Sequence, residues 1–145
     1  MGFGIGRGWD CPDGATIYGG GLGNCGSGCG TVYELSPAGN GTWTETILHR
    51  FIGGSGGSEP SSPLTIDGHG NLFGETALVG SNNGTIFRLS PKTTGGFAFK
   101  VLFTFDGTDG SYPQGGVYVA PGGTLFGTTI EGGSSNSGVA FSFRP

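Results

Sequence analysis

Three cysteines, two histidines and a scatter of carboxylates are the residues of this chain whose chemistry could amount to more than packing. Cys25 and Cys29 flank Gly26, Ser27 and Gly28, and Cys11 stands apart. A bridge between Cys25 and Cys29 would clip a glycine-rich loop and would fit an oxidising compartment; free thiols are the alternative. Cys11 reads as the end of one strand while the other two sit in a far hairpin. At ~3.3 Å per strand residue that separation is roughly 20 Å, against about 7 Å for bridged Cα atoms, so Cys11 is expected to stay a buried thiol. A zinc site asks for about four ligands at characteristic spacing, and these histidines are not so spaced.

His49 is the obvious candidate base, yet it takes the place of Phe103 in the repeat described below, on a strand face expected to pack. His69 lies in the turn DGHGN and reads as solvated. Neither ring has a Ser or Cys nucleophile evident near it in sequence, so a hydrolytic triad is not indicated. Asp10, Asp13 and Asp67 fall near the ends of inner strands, where a carboxylate pair could cleave glycosides, but they do not recur: Asp67 has Ala120 as its counterpart. Turn-forming Asp is the plain reading. The stretches DGTDGS and DGHGN lack the alternating acids of a calcium loop. No catalytic residue, metal or cofactor is therefore expected. The aromatics offer a different chemistry, since Trp9, Trp43 and four tyrosines on a weakly charged surface could stack on sugar rings. Trp43 takes the place of Phe97 and Trp9 that of Val117, strand positions where burial is expected.

What must position these residues is a chain with 35 glycines and 8 prolines in 145 residues. Such a composition would suggest disorder, but the apolar residues fall in short clusters of β-formers separated by Gly, Asn, Asp and Ser turns. No stretch keeps helical spacing over three turns, so the chain reads as all-β. Six basic and ten acidic residues leave a net charge of −4, without a basic cluster; nucleic acid is not an expected partner. The apolar runs are strand-length, far short of the ~20 residues of a spanning helix, and none resembles the core of a signal peptide.

One strand is written three times. GTVYELSP starts at Gly30, GTIFRLSP at Gly84 and GVAFSFRP at Gly138, an interval of 54 residues each time (84 − 30 and 138 − 84). GWDCPDGATIYGGG from Gly8 aligns with GVYVAPGGTLFGTT from Gly116, and PLTIDGHGNLFGET from Pro63 fits after a slip of one residue. The middle unit then has four strands, at Leu64 to Asp67, Asn71 to Ala77, Thr85 to Ser90 and Phe97 to Phe105. In the fourth, period-two geometry points Phe97, Phe99, Val101, Phe103 and Phe105 to one buried side. In the second, a glycine follows the aromatic at Gly19, Gly74 and Gly127, which predicts close packing there by the neighbouring unit.

Four short antiparallel strands per unit describe a blade of a β-propeller. The chain is read as a single domain of residues 1–145, with units at about 8–62, 63–115 and 116–145. The third is one strand short, giving about 2.75 four-stranded blades.

The segments GTLFGTTIEGG, GTVYELSP and LFTFDGTDGSYPQGGV resemble the repeat of the GloVer tandem-repeat proteins, described as choice-of-anchor tandem repeat proteins. The resemblance runs from Gly8 to Pro145 and is most specific at Leu125, Phe126, Gly127, Thr128 and Thr129 with Gly132 and Gly133. It implies an exported or surface-attached bacterial protein without an enzymatic role. The expectation is a structural or interaction-mediating repeat module, with an oligomeric, lectin-like carbohydrate binder as the alternative. Its expected partners are further repeats or copies of itself joined head-to-tail, with a glycan or surface protein as a possible ligand. The hairpins GGLGNCGSGC, ALVGSNN and IEGGSSNS are best placed to vary with ligand.

Overall fold

A computed structural model describes residues 13–21, 23, 25–78 and 83–145. Cys11, Trp9, Asp10 and the inner strand expected before Asp13 lie outside the described residues. Those described form antiparallel sheets and a single short 3-10 turn at Gly54–Gly56, with no α-helix.

The first sheet orders β1 (Asp13–Thr16), β2 (Thr31–Gly39) and β3 (Thr42–Arg50) side by side. The middle sheet holds β4 (Thr65–Ile66), β5 (Leu72–Thr76), β6 (Thr85–Pro91) and β7 (Phe97–Thr104), also in chain order. These are the four segments read from the repeat, shortened by one residue at five of their eight ends and lengthened by one at the end of β6. In the third sheet β10 (Leu125–Glu131) pairs with β11 (Ala140–Phe143) along one edge. Along its other edge run β8 (Ser111–Pro113) and β9 (Tyr118–Val119), end to end. The middle sheet has the same plan, because Ser58 bridges Leu78 ahead of β4 as Ser111 pairs with Glu131 ahead of β9.

The aromatic stripe of β7 is divided between two faces rather than pointing one way. Ile86 pairs with Phe103 but Phe87 pairs with Val101, so Leu102 is an extra residue, a β-bulge. One inserted residue reverses the alternation beyond it. Phe97 and Phe99 consequently pack toward the first sheet, among Phe51, Leu72, Phe87 and Leu89. Phe103 and Phe105 pack toward the third, among Phe73, Ile86, Val117 and Leu125. The first sheet carries the same bulge between Val32 and Tyr33, which sends His49 and Phe51 toward the middle sheet.

The middle sheet thus has a forward face, packed on the third sheet, and a rear face, packed on the forward face of the first. Burying a Phe or Leu side chain contributes about 1.5–3 kcal/mol, and the two interfaces hold the core between them.

The mid-strand glycines answer to a cross-strand ring, not to the neighbouring unit. A Cβ on Gly74 would lie 2.5 Å from Phe87 Cζ, and one on Gly127 would be crowded in the same way by Phe141 Cζ. Their partners across the ladder are those same aromatics. Gly19 does not belong to this set. It lies beyond the end of β1 at φ 96°, with open space where a Cβ would be; the residue that pairs with Tyr33 and lies under its ring is Gly14. Thr16 confirms the register, sharing a hydrogen bond with Thr31 (2.9 Å) as Thr76 does with Thr85 (2.8 Å).

Candidate functional site

The residues that carry chemistry are gathered where one sheet meets the next. At the joint between the first and middle sheets, Glu59 N donates to Cys29 O at 2.9 Å; between the middle and third, Tyr112 N donates to Asn83 O at 3.1 Å. Glu59 and Tyr112 both hold positive φ, 57° and 54°, a conformation that costs a side-chain-bearing residue on the order of 1 kcal/mol. The same strained turn is thus used twice to hand a backbone donor to the unit before. Gly30 and Gly84, which start the repeated strand, have φ 96° and 88° and are crowded by Pro60 and Pro113. Here only glycine fits both the dihedral and the space.

Cys25 and Cys29 are joined by a disulfide with Cα atoms 5.2 Å apart. Cys29 is buried in the first joint, so the bridge fixes the loop whose carbonyl Glu59 uses. Gly28 N closes the loop by donating to Cys25 O at 2.8 Å.

His49 stacks flat on Phe99 at 3.9 Å between ring centroids and meets Phe51 edge-on at 4.7 Å. Burial pushes its imidazole down to about 4, so it is neutral near pH 7 and serves as one more ring of the joint.

Glu75 has no forerunner in the sequence reading. It sits mid-strand in β5 on the forward face, wholly buried, where the third sheet has Thr128. Its Oε2 accepts from Gly116 N at 2.7 Å across the second joint, while Oε1 meets no donor among the described residues. Burial raises its carboxyl to about 7 against those hydrogen bonds. A carboxylate in a strand otherwise rich in β-formers was the one available signal, and alternation alone assigns such a residue to solvent.

A groove of about 660 Å³ opens between the turns of β4–β5 and β9–β10. Asp67 and His69 form one wall, Ala120 and Pro121 the other, and Tyr118, 64% exposed, stands beside them. Asp67 folds its own turn: Oδ1 accepts from His69 N (2.8 Å) and Asn71 N (2.9 Å), and Oδ2 accepts from Asn71 Nδ2 (2.7 Å). These bonds, led by that of the Asn71 side chain, outweigh partial burial and hold its carboxyl below the usual range. The groove supplies an aromatic face, a carboxylate edge and an imidazole, a set suited to a polar ring-shaped ligand. Asp13 lies instead in β1 and pairs with Glu34, away from Asp67.

Trp43 is not buried as its place in the repeat suggested. Its counterpart Phe97 rests on the first sheet, whereas Trp43 is 53% exposed on the first sheet's own rear face. The third sheet's forward face is likewise uncovered, with Phe126 45% and Ile130 57% exposed where the middle sheet has buried Phe73 and Ala77. Of the variable hairpins, residues 22, 24 and 79–82 lie outside the described residues.

No curated protein and no solved structure matches the chain. The family model of the Gloeobacter/Verrucomicrobia repeat matches residues 9–145, which include every strand described above. The chain belongs to the Gloeobacter/Verrucomicrobia repeat family.

Proposed function

We propose that this chain is a non-enzymatic, propeller-like repeat module of an exported or surface-attached bacterial protein, and that it works by presenting stacked sheet faces to further repeats or to other proteins. The observation that carries the reading is the joint itself. Phe51 on Phe87 and Phe105 on Phe141 are the same contact made twice, and the exposed Phe126 stands where the middle sheet has Phe73 buried against the third. Buried bulk at each junction and apolar residues at the open faces suit an architecture that grows by addition. The Cys25–Cys29 bridge supports an oxidising location.

Denaturant unfolding tests the reading. Stacked units are expected to unfold in one transition, coincident by tryptophan fluorescence and circular dichroism, and separate transitions would show independent units.

The groove beside Tyr118 favours a second reading, carbohydrate binding. Aromatic faces with polar edges suit sugar rings. A glycan array separates the two: binding lost in Tyr118→Ala supports the lectin, and an array dark for the native chain supports the module.

A further inference from the structure

The tripeptide Asn-Gly-Thr occurs twice, at residues 40–42 and 83–85, and the fold treats the two copies oppositely. The first makes the loop between β2 and β3, since Gly39 pairs with Thr42 and leaves only Asn40 and Gly41 to turn. Both hold positive φ, 52° and 75°, as such a hairpin loop requires. Both are exposed, and a Cβ on Gly41 would stand in open space. Among the described residues, nothing bonds the Asn40 amide or the Gly41 N–H. The second copy is built into the second joint. Asn83 Oδ1 accepts from Ser111 Oγ at 3.2 Å, and its carbonyl accepts from Tyr112 N at 3.1 Å. Gly84 is buried against Pro113, and its carbonyl accepts from Phe105 N at 3.1 Å.

An asparagine followed by glycine carries a reaction of its own, because no side chain on the next residue shields the backbone nitrogen. That nitrogen attacks the asparagine Cγ. The new C–N bond closes a succinimide, the Cγ–Nδ2 bond breaks, and ammonia leaves with the proton of the backbone N–H. Water then opens the ring at either carbonyl and restores that N–H, leaving aspartate or isoaspartate. The net change is amide plus water to acid plus ammonia. For the attack, the peptide between the two residues must swing until its nitrogen faces the asparagine side chain. At Asn40 this asks only that an exposed loop tip opens, held by the Gly39–Thr42 pair and by Thr42 Oγ1 donating to Gly39 O at 2.9 Å. At Asn83 it asks that the bonds from Ser111 and Tyr112 break, which parts the middle sheet from the third. We propose that Asn40 is a site of spontaneous deamidation in the native chain and that the second joint protects Asn83. The modification adds a negative charge to the tip of the hairpin that carries exposed Trp43, and isoaspartate lengthens the loop that sets the register of β2 and β3, while both joints stay intact.

The full chain is held at mildly alkaline pH and sampled over days, and peptide mapping by mass spectrometry reads the acid formed at each asparagine. In the folded chain Asn40 is expected to convert at least about tenfold faster than Asn83, and in urea, where the joint is gone, the two are expected to convert at similar rates. Phe105→Ala, which weakens the second joint, is expected to speed conversion at Asn83 several-fold more than at Asn40. Asn40 staying intact in the folded chain while the chain in urea converts would overturn the site. Asn83 converting as fast as Asn40 in the folded native chain, or at an unchanged rate in Phe105→Ala, would overturn its protection by the joint.

Discussion

The Phe51 ring stands edge-on to Phe87 with centroids 5.3 Å apart and planes at 67°. One unit along, Phe105 meets Phe141 at 5.2 Å and 62°. The same ring geometry at both junctions means that the sheets are related by one repeated step, set by the bulge that delivers Phe51 and Phe105 to the forward face. Edge-to-face pairs at this spacing add about 0.5–1.5 kcal/mol to the burial of the rings.

Truncating either ring should therefore weaken the whole array. Phe51→Ala and Phe105→Ala are each expected to cost about 3–5 kcal/mol, measured from urea midpoints, with Phe51→Leu much milder. A loss below about 1 kcal/mol in both would show that the rings do not hold the junctions.

Glycine substitutions separate the cross-strand sites from the loops. Gly74→Ala places a methyl group 2.5 Å from Phe87 Cζ and 2.8 Å from Leu64 Cδ2, and is expected to destabilise by about 1–3 kcal/mol. Gly19 has positive φ but open space, so Gly19→Asn should cost less, about 1 kcal/mol or below. Equal melting temperatures for the two variants would contradict this assignment of roles.

Much of the arrangement was legible in the sequence, and its failures share a cause. The 54-residue interval locates β2, β6 and β11 because those strands lie within the repeated segment itself. The aromatic-glycine pattern points to Gly19, five residues beyond Gly14, because the first unit has a longer loop before Gly30. The division of the β7 aromatics was hidden because a bulge at Leu102 changes no residue type and only resets the alternation. Glu75 was overlooked since nothing in one sequence announces that a carboxyl will be enclosed between two sheets.

Acidity should act on the two joints in opposite senses, through Glu75 at the second and His49 at the first. The Glu75 carboxyl is raised from an ordinary 4.5 to about 7, so its protonated form favours the fold: that stability is present below about pH 4.5 and is lost as pH rises through 7. At about 1.4 kcal/mol per unit the term is on the order of 3 kcal/mol. His49 is lowered from 6.5 to about 4, and its contribution runs the other way, lost as pH falls through that window; solvent access to the ring makes it the smaller term. Stability measured from pH 4.5 to 8 should decline in the native chain, decline more steeply in His49→Phe, and rise to a plateau in Glu75→Gln. A Glu75→Gln curve parallel to the native one would rule out this carboxyl as the source.

Reduction should loosen the first joint more than the second. The Cys25–Cys29 bridge closes a loop of sequence separation 4, for which chain entropy gives about 2 kcal/mol. Cys25→Ser is expected to lower the melting temperature, and reductant should lower that of the native chain but not that of the variant. Hydrogen exchange at Glu59, whose N–H is held by Cys29 O, should accelerate while that at Tyr112 does not. Unchanged exchange at Glu59 would detach the disulfide from the joint.

The central claim is that the sheets are held together through the faces they pack on one another, and hydroxyl-radical footprinting along a urea series tests it most directly. Phe51, Phe73, Phe87 and Phe105 are buried at the joints, while Trp43, Phe126 and Ile130 are 53%, 45% and 57% exposed. The account expects the four joint rings to resist oxidation in the native chain and to become reactive together at the unfolding midpoint, with Trp43, Phe126 and Ile130 oxidised throughout. Joint rings as reactive as Phe126 in the native chain, or released one joint at a time well before the midpoint, would contradict it.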